Sequence, residues 1–189
     1  MTPAKRALDL LLVLLAGLLL ALPLLAITLW VRLTSPGPAL YWSQRVGRDN
    51  RLFAMPKFRS MRIDTPEVAT HLLEQPEQWL TPIGSFLRRS SLDELPQLWC
   101  ILTGEMSFVG PRPALHNQQD LVVLRTHHGV HRLVPGLTGW AQVNGRDELP
   151  IDQKVALDAW YLQHRSLALD LRILVHTALK VVQGDGVSH

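Results

Sequence analysis

The sequence predicts a mainly α-helical protein with one small β-hairpin and a long apolar helix at its N-terminus. Three observations carry this. Residues 10–31 form a Leu-rich run of 22 residues without a single charge. Two short strand-like segments, 39–45 and 51–58, flank a Gly-containing loop, Val46-Gly47-Arg48-Asp49-Asn50. Apolar residues recur at helical spacing towards the C-terminus.

The apolar run comes first. At about 1.5 Å per residue it reaches roughly 33 Å, enough to cross a bilayer core. It is too long for a cleaved signal peptide, and no small-x-small site follows it. Pro23 divides it into 13 and 8 residues, and proline disrupts the helical hydrogen bond to the preceding turn. Lys5 and Arg6 precede the run; Arg32, Arg45, Arg48 and Arg51 follow it. A spanning helix would put one basic flank outside, whereas a hairpin that enters and returns keeps both inside. Charge and proline alone leave both open.

Ser35-Pro36-Gly37-Pro38 is a breaker cluster. In the hairpin that follows, Pro56 restricts the second strand to an edge or ends it early. Residues 63–82 read as a polar helix and loops, and 96–102 as a short buried helix ended by Gly104. Gly110-Pro111-Arg112-Pro113 is a rigid loop. Residues 114–128 read as a helix stopped by Gly129. Residues 135–146 read as an ordered loop or two short strands, and 152–164 as a helix. In Leu167–Gln183, Arg172, His176, Lys180 and Gln183 make one narrow polar stripe on an otherwise apolar helix. Such a helix lies deep in a core or in a membrane interface, and the small domain favours the interface.

Charge is divided along the chain. Residues 1–62 carry nine Lys/Arg against Asp9 and Asp49, and residues 63–189 carry ten against fourteen Asp/Glu. A basic front end around a greasy segment points to an anionic membrane surface, with no nucleic-acid partner expected. The single cysteine, Cys100, excludes an internal disulfide framework and reads as a core residue. His127, His128 and His131 have no acidic partner at a matching spacing, so no zinc site is expected there. No phosphate-loop or dinucleotide fingerprint is present.

Ser91-Leu92-Asp93-Glu94-Leu95-Pro96-Gln97 is the richest stretch. Ser91 and Glu94 fit a capping box, which would make both structural. Pro96 argues for a later helix start, because proline belongs near the first helical position. The adjacent carboxylates Asp93 and Glu94 would then lie in the turn leading in, free to act as nucleophile, metal ligand or base. Arg88 and Arg89 precede them. Arg112 is fixed between two prolines, and Arg146 follows Asn144-Gly145. Arginine forks suit phosphate, and Lys57 and Arg59 are further candidates.

Taken together, five ordered motifs resemble the bacterial sugar transferases, the small monotopic phosphoglycosyl transferases. They are Lys5-Arg6 with Asp9, Lys57-Phe58-Arg59-Ser60-Met61, the Ser91–Gln97 stretch, the run from Gly104 to Pro113, and the run from Pro135 to Arg146. The Leu157-Asp158 and Leu169-Asp170 pairs add to them. The resemblance implies transfer of a sugar 1-phosphate from a UDP-sugar to polyprenol (undecaprenyl) phosphate, with release of UMP. It implies that Asp93 is the nucleophile, and that Glu94 holds Mg²⁺ or accepts a proton, with Asp93 a second metal ligand. It implies substrate or phosphate contacts from Lys57, Arg59, Arg88, Arg112, Gln142, Asn144 and Arg146. It implies a re-entrant membrane helix over 1–34, broken at Pro23 and anchored by Lys5 and Arg6. Residues 35–189 would form one small catalytic domain with interfacial amphipathic helices, on the cytoplasmic face of the bacterial inner membrane. The chain departs from the pattern at Leu22, where Ser is common, at Cys100 and Thr103, and at Val134, where a basic residue is usual. The ending Gly186-Val187-Ser188-His189 hints at N-acetylated amino sugars. The rival reading is a non-catalytic membrane-anchored scaffold for glycan assembly.

Overall fold

The computed structural model describes residues 1–66, 75–145 and 149–183. The first helix, α1, runs from Pro3 to Thr34. Thr2 caps it, its Oγ1 accepting from Lys5 N at 3.3 Å, and Pro3 takes the position where a missing N–H costs nothing. The break expected at Pro23 does not interrupt the helix, which continues through it.

Only Asp9, Val13, Ile27 and Val31 of α1 are buried. Leu14, Leu18, Leu19, Leu22 and Leu25 between them are more than half exposed. The two buried pairs pack on one and the same domain. Val13 joins Phe53, Met55, Ile101 and Met106. Ile27 and Val31 join Ala39, Phe58, Ile83 and Leu87. Each buried aliphatic side chain contributes about 1.5–3 kcal/mol.

The hairpin is as expected. β1 (Leu40–Val46) pairs antiparallel with β2 (Leu52–Phe58), from Leu40 opposite Phe58 to Val46 opposite Leu52. Asp49 and Asn50 turn the chain with φ of 54° and 58°, and Gly47 N donates to Arg51 O at 2.8 Å. β1 is central and β2 an edge, which accommodates Pro56. β2 supplies Phe53 and Met55 to one end of α1 and Phe58 to the other.

A short helix α2 (Gly84–Arg89) leads to a 3-10 stretch, Leu92–Gln97, and then to α3 (Leu98–Thr103). Gly104 ends α3 with φ of 90°, where a Cβ would be strained. The expected burial of this helix holds on one side only: Cys100 and Ile101 are buried, while Trp99 and Leu102 are exposed.

The segment from 114 corrects the sequence reading. Ala114–Leu115 is a strand, β4, added to the free side of β1 opposite Val46 and Arg45. The Gln118 side chain takes the Leu115 N–H at 2.9 Å, so the helix α4 begins only at Gln119 and runs to His127. Gly129 follows with φ of 73°, the stop expected. β3 (Ser107–Val109) pairs in parallel with β5 (Gly136–Thr138). Within residues 135–145 the chain thus forms one strand followed by a short helix, α5 (Trp140–Val143). A Cβ on Gly136 would lie 2.0 Å from Gly110 N, so this close backbone approach requires glycine.

α6 (Ile151–His164) and α7 (Leu167–Gln183) complete the fold. In α7, Asp170 and Ile173 are buried, while Leu167, Leu171, Val175 and Leu179 line an exposed apolar stripe. The helix is therefore not enclosed in the core. Of the expected polar helix within 63–82, residues 67–74 lie outside the described residues; the rest holds a single 3-10 turn, Pro76–Trp79.

Lys5 and Arg6 correct a second expectation. The sequence reading places both at the lipid, whereas the fold engages both in internal contacts. Lys5 Nζ pairs with Asp170 Oδ2 at 2.6 Å, and Tyr161 OH donates to Oδ1 of the same carboxylate at 2.6 Å. Arg6 donates to the carbonyls of Ile101 and Leu102 at 2.5 and 2.7 Å, satisfying the open C-terminal end of α3. Asp9 Oδ1 accepts from Ser107 Oγ and Phe108 N, each at 3.1 Å.

Candidate active site

The dyad sits in the 3-10 stretch that leads into α3. Ser91 precedes it with φ of 55°, left-handed backbone for a residue with a Cβ, and its side chain caps nothing. The capping-box reading fails: Glu94 bonds back to Ser91 only through its own backbone N–H, at 3.2 Å. Strain at a non-glycine residue beside two carboxylates is a pattern of functional sites.

The Glu94 side chain faces two cations. Its Oε1 accepts from Lys57 Nζ of β2 at 2.8 Å and from Arg112 Nη2 at 2.7 Å. Among the described residues, its Oε2 has a single long contact, 3.4 Å, to Arg112 Nη1. Burial alone would raise the Glu94 carboxyl. The Arg112 and Lys57 charges and their hydrogen bonds outweigh burial and hold it well below the usual range. Asp93 behaves oppositely. Burial pushes it up to about 6 and Glu94 adds to the rise, while Lys57, Arg88 and Arg112 pull it down. Two neighbouring carboxylates are thus driven apart, one permanently ionised and one poised near neutrality.

The other candidates divide. Arg88 acts on Asp93 through its charge. Arg59 does not belong to the cluster. It is buried, and donates to Pro36 O, to Ser35 O at 3.1 Å and to Ser35 Oγ at 2.8 Å. Its work is to hold the chain where α1 turns into β1. Strand alternation alone would put Lys57 and Arg59 on one face; they part because β2 ends at Phe58 and Arg59 lies beyond it. Gln142 and Asn144 lie at α5, directly after Gly139, whose backbone abuts Gly110. Gln142 Oε1 and Nε2 are buried without a hydrogen-bond partner, and Asn144 Nδ2 donates to Trp140 O at 2.8 Å. Arg146 lies outside the described residues. Cys100 is a core residue as expected, with burial pushing its thiol up to about 12.

Among the described residues, no three His, Cys, Asp or Glu side chains converge on one point. Mg²⁺ needs no such cage, because it is commonly held by one or two carboxylates together with substrate phosphate oxygens. Glu94 Oε2, with its single long contact, and the adjacent Asp93 fit that donor set.

Fold and site together define a helical domain built on an exposed apolar helix, with a carboxylate dyad whose Glu94 is gripped by Lys57 and Arg112. The model of the family described as bacterial sugar transferase matches residues 1–184, and the chain belongs to that family. A UDP-glucose:undecaprenyl-phosphate glucose-1-phosphate transferase of Xanthomonas campestris pv. campestris is 44% identical over 84% of this chain and 34% of its own length. An undecaprenyl-phosphate galactose phosphotransferase of Salmonella typhimurium is 39% identical over 89% of this chain and 38% of its own. A UDP-N-acetylgalactosamine-undecaprenyl-phosphate N-acetylgalactosaminephosphotransferase of Aeromonas hydrophila is 33% identical over 96% of this chain and 44% of its own. The chain therefore spans between about a third and under a half of these relatives.

Proposed function

We propose that this chain transfers a sugar 1-phosphate from a UDP-sugar to undecaprenyl phosphate in two steps. An Asp93 carboxylate oxygen attacks the sugar-linked phosphorus. The bond from that phosphorus to the bridging oxygen breaks, and UMP leaves with the electron pair. The acyl-phosphate on Asp93 is then attacked by the phosphate oxygen of the lipid, which regenerates the carboxylate. Lys57 and Arg112 draw charge from the phosphoryl group, and Arg88 adds to the field. Mg²⁺, held by Glu94 and Asp93 when bound, would supply Lewis-acid polarisation of the phosphoryl oxygens. The observation that carries this reading is the split dyad, in which Glu94 neutralises two cations and Asp93 stands beside them as a separate carboxylate. The names of the relatives support the substrate classes. A panel of UDP-sugars with undecaprenyl phosphate, read as UMP, tests it and identifies the sugar; no UMP from any member would refute it.

The pH dependence follows from Asp93. Only its ionised form attacks, so turnover should fall as pH drops through about 6. Glu94 stays charged through that window and adds no second limb. An activity profile flat between pH 5 and 8, on protein shown to stay folded, would contradict the assignment of the nucleophile.

The helix α1, unbroken at Pro23, is read as not crossing the bilayer, with the domain on the cytoplasmic face of the inner membrane. Val13 and Ile27 pack on one domain, and fourteen residues of helix advance only about 21 Å, short of the roughly 30 Å of a bilayer core. A spanning α1 would pull domain side chains into the bilayer with it. Cysteines at positions 1 and 32, in a chain with Cys100 replaced, should both resist a membrane-impermeant thiol reagent added from outside. Labelling of position 1 alone would establish a spanning helix instead.

A further inference from the structure

The 111–113 loop that carries Arg112 has two prolines, and proline has no N–H. The loop is tethered through its carbonyls, and all three are taken, each by a different element. Pro111 O accepts from Gly136 N of β5 at 2.9 Å. Pro113 O accepts from Arg45 Nη1 of β1 at 3.3 Å. Arg112 O accepts from Arg125 Nη1 of α4 at 2.7 Å. Arg125 turns the rest of its fork onto Asp158 of α6, with Nε at 3.0 Å and Nη2 at 2.6 Å from Oδ2. Both residues are buried, with Arg125 8% and Asp158 1% exposed.

Pro111 and Pro113 are buried, so apolar packing shares in holding this loop but leaves a gap beside it. A small open pocket of about 30 Å³ is lined by the loop itself and by Val122, Arg125 and His131 among others. Stability does not explain the arrangement, because a buried ion pair is often replaceable by apolar residues without loss. What an apolar pair cannot supply is a rigid donor aimed at the Arg112 carbonyl. Lysine cannot reproduce it fully, since one ammonium lacks the planar fork that serves a carboxylate and a carbonyl together.

We propose that Arg125, oriented by Asp158, is a positioning residue for the transfer reaction, fixing the Arg112 backbone so that the Arg112 guanidinium stays on Glu94 beside Asp93. This rests on the reading of Arg112 as part of the transferase site. The effect of losing it is a small displacement of Arg112, and displacements of about 1 Å can cost up to about 100-fold in rate.

The test uses the full chain with the double replacement Arg125→Met and Asp158→Leu, which removes both charges together. Its melting temperature should stay within a few degrees of the parent. Its kcat should fall about 10- to 100-fold, with KM for the UDP-sugar changed less than about twofold. Arg125→Lys should recover part of the loss. In an Arg112→Ala background the same double replacement should cost less than about a further twofold, because its target is gone. Equal losses in both backgrounds, or normal kcat in the double variant, would overturn the proposal. If the double variant fails to fold, Arg125→Lys is compared in the two backgrounds by the same criterion. Should the parent release no UMP from any UDP-sugar, the functional reading fails separately. The positioning claim is then decided by thermal unfolding of Arg125→Lys, Glu94→Gln and their combination. Non-additive losses support it, and additive losses overturn it.

Discussion

Asp93→Asn should abolish turnover, lowering UMP release by at least about 1,000-fold, while the protein remains folded in the membrane. A carboxamide cannot form the acyl-phosphate, and it carries no charge with which to attack. The same substitution should leave stability unchanged or raise it. The folded-state value of Asp93 lies above its ordinary 3.8, so protonation favours the folded state, and that contribution is lost as pH rises through about 6. At neutral pH its ionisation opposes folding, and asparagine removes the opposition. Solvent reaches part of the site, so the gain should not exceed about 1–2 kcal/mol. Turnover assays and thermal unfolding on the same preparation check both halves. An active Asp93→Asn would remove the nucleophile from the mechanism, and an unfolded one would make Asp93 structural.

Glu94→Gln should damage both stability and rate. Glu94 is held below its ordinary 4.5, so its contribution to stability is present above that value and lost as pH falls below it. Glutamine keeps one acceptor but no charge, leaving Lys57 and Arg112 facing each other without their common counter-ion. Loss of a part-buried, charge-assisted pair costs about 1.5–3 kcal/mol, or roughly 4–10 °C in melting temperature for a chain of this size. Turnover should fall about 100-fold, because the two cations that stabilise the phosphoryl charge are no longer held in place. Thermal unfolding at pH 7, with kinetics at saturating UDP-sugar, measures both. Unchanged values in both would remove Glu94 from the mechanism.

What the sequence made legible was local. The hairpin followed from two β-prone runs around Gly47, and the edge position of β2 from Pro56. The dyad was visible because Pro96 displaced the helix start. Arg112 stood out between its prolines, and it does reach Glu94. What stayed hidden depended on partners far along the chain. Arg59 carries the same charge as Lys57 two residues earlier, and nothing local says that Ser35 and Pro36 will cover it. Lys5 and Arg6 read as lipid anchors until α7 and α3 bring Asp170 and two open carbonyls to them. Ala114 and Leu115 look helical because their neighbours are, but the free side of β1 captures them first. Arg125 offered no signal beyond an ordinary helical arginine. Its partner Asp158 lies 33 residues away, and its second partner is a backbone carbonyl.

The central claim is a covalent phosphosugar on Asp93, and it can be observed directly. The purified chain is incubated with a UDP-sugar radiolabelled in the sugar, without undecaprenyl phosphate, then quenched and digested for peptide mass analysis. The expected result is one equivalent of UMP at most, and label on the peptide containing Asp93 that is absent in Asp93→Asn and is chased off by added undecaprenyl phosphate. UMP released only when the lipid phosphate is present, with no label on the protein at any time, would contradict the account and establish direct transfer between the two substrates.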